Sequence, residues 1–244
     1  MIVAGQIREK IECFPAGYVF TLSDFGLDAS YDLALAKLLS RMSAKGEIVR
    51  VAKGKYYKPK QTIFGALKPA YDELVKDFLI KNGKMIGYIS GVSAFSTMGL
   101  TTQISSNILI GCNKYRRPVN RAGYKVSFLL QENPITKESV DLLRILDAIK
   151  FIQKIPGTTP AEACAIIIEL VRRLDEKRTK ELELFSLKYT SYVRAIVGAI
   201  LEYHNRPMDV VRSSINGVTT YKISIPESIL PTKHNWNIYE PTRK

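Results

Sequence analysis

Apolar positions recur three and four residues apart through much of this chain, and that period is helical. Val3, Ile7, Ile11 and Phe14 share one face of a first helix, which Pro15-Ala16-Gly17 ends. Tyr18-Val19-Phe20 reads as a short extended piece. A brief helix around Leu22 and Phe25 follows, capped by Thr21 or Ser23 and closed by Gly26. Asp28-Ala29-Ser30 offers caps for the next helix, in which Tyr31, Leu35, Leu38, Leu39 and Met42 form an inward stripe. Ala34, Lys37, Arg41 and Lys45 lie opposite that stripe, and Gly46 terminates the helix. Residues 48–51 and 55–58 then read as strands joined by Ala52-Lys53-Gly54.

Residues 61–68 have the composition of a linker, and Pro69 suits a first helical position. Tyr71, Leu74, Val75, Phe78 and Leu79 give another helical stripe, stopped by Asn82-Gly83. A strand over 85–89 and a short helix over 91–98, closed by Gly99, come next. Residues 107–111 and 124–130 read as strands, the second alternating Tyr124, Val126, Phe128 and Leu130 on one face. From Thr136 the pattern is mostly helical. Thr159-Pro160-Ala161-Glu162 is a capping box, and helices fit 179–187 and 190–203. A late strand fits 219–225, and the tail from Pro226 reads as irregular. The fold expected is α+β. A winged helix-turn-helix domain over 1–62 precedes a mixed α/β domain over 69–244 with a largely helical C-terminal part, serving partner binding or dimerisation.

Charge sharpens this picture. The chain carries 36 Lys and Arg against 23 Asp and Glu, a net +13, which favours a polyanionic partner. Its three cysteines are isolated, with no CxxC, as in a reducing compartment; Cys164 sits in an apolar run and reads as a buried thiol. His204 and His234 have no Cys or His at ligand spacing, so neither a metal nor a cofactor is expected. No apolar run approaches the ~18–20 residues that span a bilayer. Arg8, Glu9, Lys10 and Glu12 interrupt any leader-like stretch. A cytoplasmic protein without a membrane partner is the expectation. No GxxxxGK[ST], GxSxG or HExxH pattern occurs, and Asp175-Glu176-Lys177 reads as a solvated helix end, so no catalytic residue is assigned.

The chemistry concentrates between Ser30 and Lys60. In helix-turn-helix proteins the second helix enters the major groove. Ser30 would stand at its phosphate-facing start. Lys37 and Arg41 lie one turn apart on the outward face, where Arg41 can pair with guanine O6 and N7. Arg50, Lys53, Lys55, Lys58 and Lys60 make the following hairpin cationic, and Tyr56 or Tyr57 could offer a hydroxyl to a phosphate while the other ring enters the core. Thr101, Thr102 and Gln103, after the Gly99 helix stop, and the basic residues Arg116, Arg117 and Arg121 are further candidates for contact with a partner or DNA. An ordinary solvated helix face and a plain hairpin with edge lysines are the competing readings.

Three strings carry a resemblance. They are Gly17-Tyr18-Val19-Phe20-Thr21-Leu22-Ser23-Asp24-Phe25, Leu39-Ser40-Arg41-Met42-Ser43-Ala44-Lys45-Gly46-Glu47-Ile48-Val49-Arg50 and Lys53-Gly54-Lys55-Tyr56-Tyr57. Together they resemble the winged-helix domain of AbiEi-type antitoxins from abortive-infection toxin–antitoxin systems. Ala94-Phe95-Ser96-Thr97-Met98-Gly99-Leu100-Thr101-Thr102-Gln103 is similar to the motif that opens that family's second domain. The resemblance implies a transcription regulator that represses its own operon and counteracts a cognate nucleotidyltransferase-like toxin. It also implies that Lys37, Arg41, Arg50, Lys53 and Lys55 face double-stranded DNA. A winged helix that binds another protein, and a nucleic-acid-processing enzyme, are the alternatives. The sequence leaves the oligomeric state open.

Overall fold

The computed structural model describes residues 4–63 and 65–241. Val3, expected on the first helical face, lies outside that range. The chain begins α1 (Ala4–Cys13), β1 (Val19–Phe20), α2 (Asp32–Ala44), β2 (Val49–Ala52), β3 (Lys55–Tyr57), β4 (Lys60–Thr62), β5 (Gly65–Leu67) and α3 (Tyr71–Leu79). It continues β6 (Ile80–Lys81), β7 (Lys84–Met85), β8 (Gly87–Ser90), α4 (Gly91–Thr97), β9 (Asn107–Cys112), β10 (Val119–Arg121) and β11 (Tyr124–Leu130). It ends α5 (Val140–Phe151), α6 (Pro160–Arg172), α7 (Glu176–Ser186), α8 (Ser191–Tyr203), α9 (Asp209–Ser213), β12 (Tyr221–Lys222) and β13 (Ile238–Tyr239). The fold is α+β, with an N-terminal winged helix-turn-helix arrangement and a largely helical C-terminal part.

Two compact units divide the chain elsewhere than at the 62/69 boundary. One comprises Met1–Leu79 with Pro118–Val126, the other Ile80–Arg117 with Ser127–Lys244. The physical reason is a buried arginine. Arg121 is 7% exposed and forks onto the Asp77 carboxylate while its Nη1 donates to the Leu74 carbonyl at 2.9 Å. Its guanidinium also lies 4.2 Å from the Phe78 ring centroid. Glu73 ties α3 to the winged helix by accepting the Val19 N–H at 2.9 Å. Residues 61–68 are therefore no linker. They hold an antiparallel ribbon, Lys60 opposite Leu67 and Thr62 opposite Gly65.

In the first unit the sheet order is β1-β3-β2. Its core joins Ile7 and Ile11 of α1 to Phe20, Phe25, Leu35, Leu39, Met42, Ile48 and Tyr56. Thr21 and Asp24 form a capping box on a short 3-10 turn, Leu22–Phe25, which Gly26 closes in a left-handed conformation.

The second unit has a sheet, with strand order β11-β9-β8, and a helical core in which α5 and α8 bury most of their side chains. The capping box at Thr159 and Glu162 forms as the sequence predicts. The tail from Pro226 is more ordered than expected. A 3-10 helix, Pro231–Trp236, precedes β13, which pairs in parallel with β12. Trp236 is 1% exposed and donates its indole N–H to Glu202 at 2.5 Å. Gly198 of α8 makes room for that ring, since a Cβ there would stand 2.1 Å from it.

Asp147 of α5 is fully buried in the same unit. It accepts hydroxyl hydrogen bonds from Tyr88 at 2.7 Å, Ser90 at 2.6 Å and Tyr189 at 2.8 Å. Gln131 Nε2 donates to both tyrosine oxygens, so each polar atom at the centre has a partner. Burial raises the Asp147 carboxyl above its ordinary value despite the three donors. Cys164 is buried as expected, and its thiol is pushed up to about 12 by desolvation. Among the described residues no helix is long and apolar enough to cross a membrane.

Candidate nucleic-acid interface

The outward face of α2 is set by what its other face buries. Leu35, Leu39 and Met42 enter the core, so Leu33, Lys37 and Arg41, each four residues apart, point to solvent. Leu38 is half-buried, and Tyr31, expected inward, is 42% exposed. Tyr31 belongs to the short turn Ala29–Tyr31 that precedes the helix, which removes it from the helical stripe. Asp28 caps that turn by accepting the Ser30 N–H at 2.9 Å. These bonds hold the Asp28 carboxyl below its usual value. With Asp32 following, anionic groups flank Ser30, and the helix start is a poor phosphate site. Ser30 is therefore corrected to a turn residue.

Gly46, at φ +76°, ends the helix and sends the chain into the β2–β3 hairpin. Arg50 pairs opposite Tyr56 and Ala52 opposite Lys55, with an irregularity between Arg50 and Ala52. The tight turn places Gly54 at φ +70°, a conformation that glycine adopts without strain. Gly54 and the approach to α2, at Leu27, Ala29 and Asp32, line one concavity. The wing and the start of the helix thus border the same surface.

Lys37, Arg41, Lys45, Arg50 and Lys53 are exposed, and among the described residues none of them pairs with a carboxylate. Arg41 Nε donates weakly to the Lys37 carbonyl at 3.4 Å, and Arg50 Nε to the Ala52 carbonyl at 3.3 Å. Their remaining guanidinium donors are open to a ligand.

Other candidate residues are engaged within the fold. The side chain of Lys55 is only 20% exposed and pairs with Asp77. Burial alone would raise the Asp77 carboxyl, but Arg121 and Lys55 together hold it below its usual value. Lys55 and Arg121 are thus structural cations, corrected from DNA-facing and partner-facing roles. Tyr56 and Tyr57 are both buried, at 5% and 4% exposure, so neither hydroxyl is presented to a phosphate. Lys58 pairs with Glu12.

In the second unit, Thr101 is 7% exposed. Its hydroxyl donates to the Pro156 carbonyl at 2.5 Å and accepts the Gln103 N–H at 3.1 Å. It ties the segment after α4 to the loop before α6 and is not free for a partner. Thr102, Gln103 and Arg117 are exposed, and Arg116 is half-buried. Asp175 caps α7 by accepting the Arg178 N–H at 2.7 Å. Sequence reasoning left Lys45 off the candidate interface although the outward spacing already included it.

A family model described as a family of unknown function, DUF6088, matches residues 6–178. The chain belongs to the DUF6088 family. The matched segment covers the winged helix, α3 to α6 and the strands between them. No curated protein matches this DUF6088 chain. Among solved structures, it is similar to the RV2827C protein from Mycobacterium tuberculosis, with 16% identity and a TM-score of 0.52 over 88% of this chain and 82% of that one. That likeness is one of fold.

Proposed function

We propose that this chain is a sequence-specific regulator that docks its winged helix on double-stranded DNA. One observation carries the reading. The two outward cations of α2, Lys37 and Arg41, and the two of the wing, Arg50 and Lys53, lie in one small unit without carboxylate partners among the described residues. Cations held off from internal acids are available to phosphates and to guanine edges. Arg41 and Lys37 would read bases from the major groove, while Arg50 and Lys53 would follow the backbone.

The test is a gel-shift titration with a duplex selected from a randomised library by the intact chain. Arg41→Ala should weaken binding and relax base preference by about 1–3 kcal/mol, whereas Lys53→Ala should weaken all duplexes alike. Unchanged binding by both variants rejects the reading.

A second reading has its own observation. Leu27, Tyr31 and Leu33 are 37%, 42% and 73% exposed around the start of α2, an apolar group that suits a protein partner. Such a partner would bind with little salt dependence, whereas phosphate binding falls steeply with salt. The antitoxin role implied by the AbiEi resemblance adds a nucleotidyltransferase toxin as a second ligand of the same chain. Substituting the exposed Thr102, Gln103 and Arg117 and following rescue from such a toxin in co-expressing cells tests it.

A further inference from the structure

The β4–β5 ribbon lacks the burial that normally sustains such an element. Apart from half-buried Thr62, its described residues from Lys60 to Lys68 are exposed, with Ile63 at 93% and Leu67 at 56%. The Thr62 hydroxyl closes the turn by donating to the Gly65 carbonyl at 2.8 Å. A two-stranded ribbon without a core is marginal by itself, and this one leaves its side chains open to a partner outside the chain. Its charge says what. Between Glu47 and Asp72 there is no acidic residue and there are six basic ones, Lys60 and Lys68 standing at the two roots of the ribbon. Only Lys58 and Pro59 separate it from β3 of the wing. Each strand is about 10 Å long.

We propose that this ribbon is a second DNA-contacting arm, whose root lysines meet backbone phosphates and whose Ile63 tip packs on the apolar edge of a groove. Apolar side chains on such arms contact sugars and base steps where lysines alone would only hold the backbone. The inference rests on the DNA-binding reading and goes beyond it, since a winged helix binds DNA without such an arm.

The experiment compares the intact chain with Lys60→Gln, Ile63→Ser and Arg41→Ala on the selected duplex, by fluorescence anisotropy across a salt series. Because neither ribbon side chain is buried, both ribbon variants should melt with the intact chain. Lys60→Gln should lower affinity about fivefold near physiological salt and reduce the salt slope by about 1. Ile63→Ser should lower affinity and leave the slope unchanged. If both ribbon variants match the intact chain while Arg41→Ala still loses affinity, the arm is refuted and the DNA-binding reading stands. If Arg41→Ala is also silent, both fall. If sedimentation shows that Ile63→Ser dissociates a dimer while DNA affinity per protomer is unchanged, the ribbon joins copies of this chain and the arm is refuted.

Discussion

Arg41 and Arg121 are the same residue type put to opposite uses. Arg41 stands in solvent on a helix face, whereas Arg121 is buried against a carboxylate and a ring. Removing Asp77 leaves Arg121 without its counter-ion. Asp77→Ala should therefore cost up to about 3 kcal/mol, the low end for a buried pair because Asp77 is a third exposed. Urea denaturation measures it, and an unchanged midpoint would contradict the structural role. Asp147 gives a pH signature. Burial holds its folded-state carboxyl above the ordinary 3.8, although hydrogen bonds from Ser90, Tyr88 and Tyr189 and the charge of Lys150 pull the other way. Its contribution to stability is then complete below that value and declines as pH rises through the raised one. Asp147→Asn cannot ionise. Its melting temperature relative to the unmutated chain should climb as pH rises above the ordinary carboxylate range, and a difference that stays constant with pH would count against the assignment.

At the scale of elements, Gly198 and Trp236 show how the C-terminal segment is seated on α8. Gly198→Ala would push a methyl into the indole and is expected to destabilise the fold by about 1–3 kcal/mol. Calorimetry on the variant tests it. Such a contact could not be read from spacing, because Gly198 lies in an apolar run that reads as helix with or without a bulky neighbour. The elements that were legible had local causes. The stripe of Leu35, Leu39 and Met42, the Thr159–Glu162 box and the glycines at 26, 46 and 99 each act within a turn or two of chain. The misreadings came from distance. Lys55 and Arg121 look like free cations until Asp77 is beside them, the latter pair 44 residues apart. Tyr57 looks available for a phosphate until the fold buries it to 4% exposure. Among the described residues no acid pairs with Lys37, Arg41, Arg50 or Lys53; the outward place of Lys37 and Arg41 followed from the helical period, and that of Arg50 and Lys53 from the hairpin pattern.

For the whole molecule, the positive balance is unevenly engaged. Lys55, Arg121 and Lys233 are largely buried cations paired with acids, and Lys58 pairs with Glu12 at the surface, while among the described residues the exposed cations Lys37, Arg41, Arg50 and Lys53 have no acid partner. If the chain binds DNA as proposed, raising ionic strength should weaken duplex binding long before it affects stability, since partly buried pairs are screened less than exposed charges. Parallel salt series of anisotropy and thermal melting would show the two curves diverging. Curves that fall together would mean that the same ion pairs govern both.

The return of Pro118–Val126 to the first unit also bears on how the polypeptide is made. A ribosome that has released only the amino-terminal seventy-nine residues has not yet supplied the guanidinium that Asp77 requires. The winged helix and the contacts of Glu73 with Val19 and of Asp77 with Lys55 can form early, yet α3 gains its arginine partner only once synthesis has passed Arg121. A recombinant fragment cut after Leu79 would carry the same deficit permanently and should be more readily digested by protease around α3 than the full-length chain.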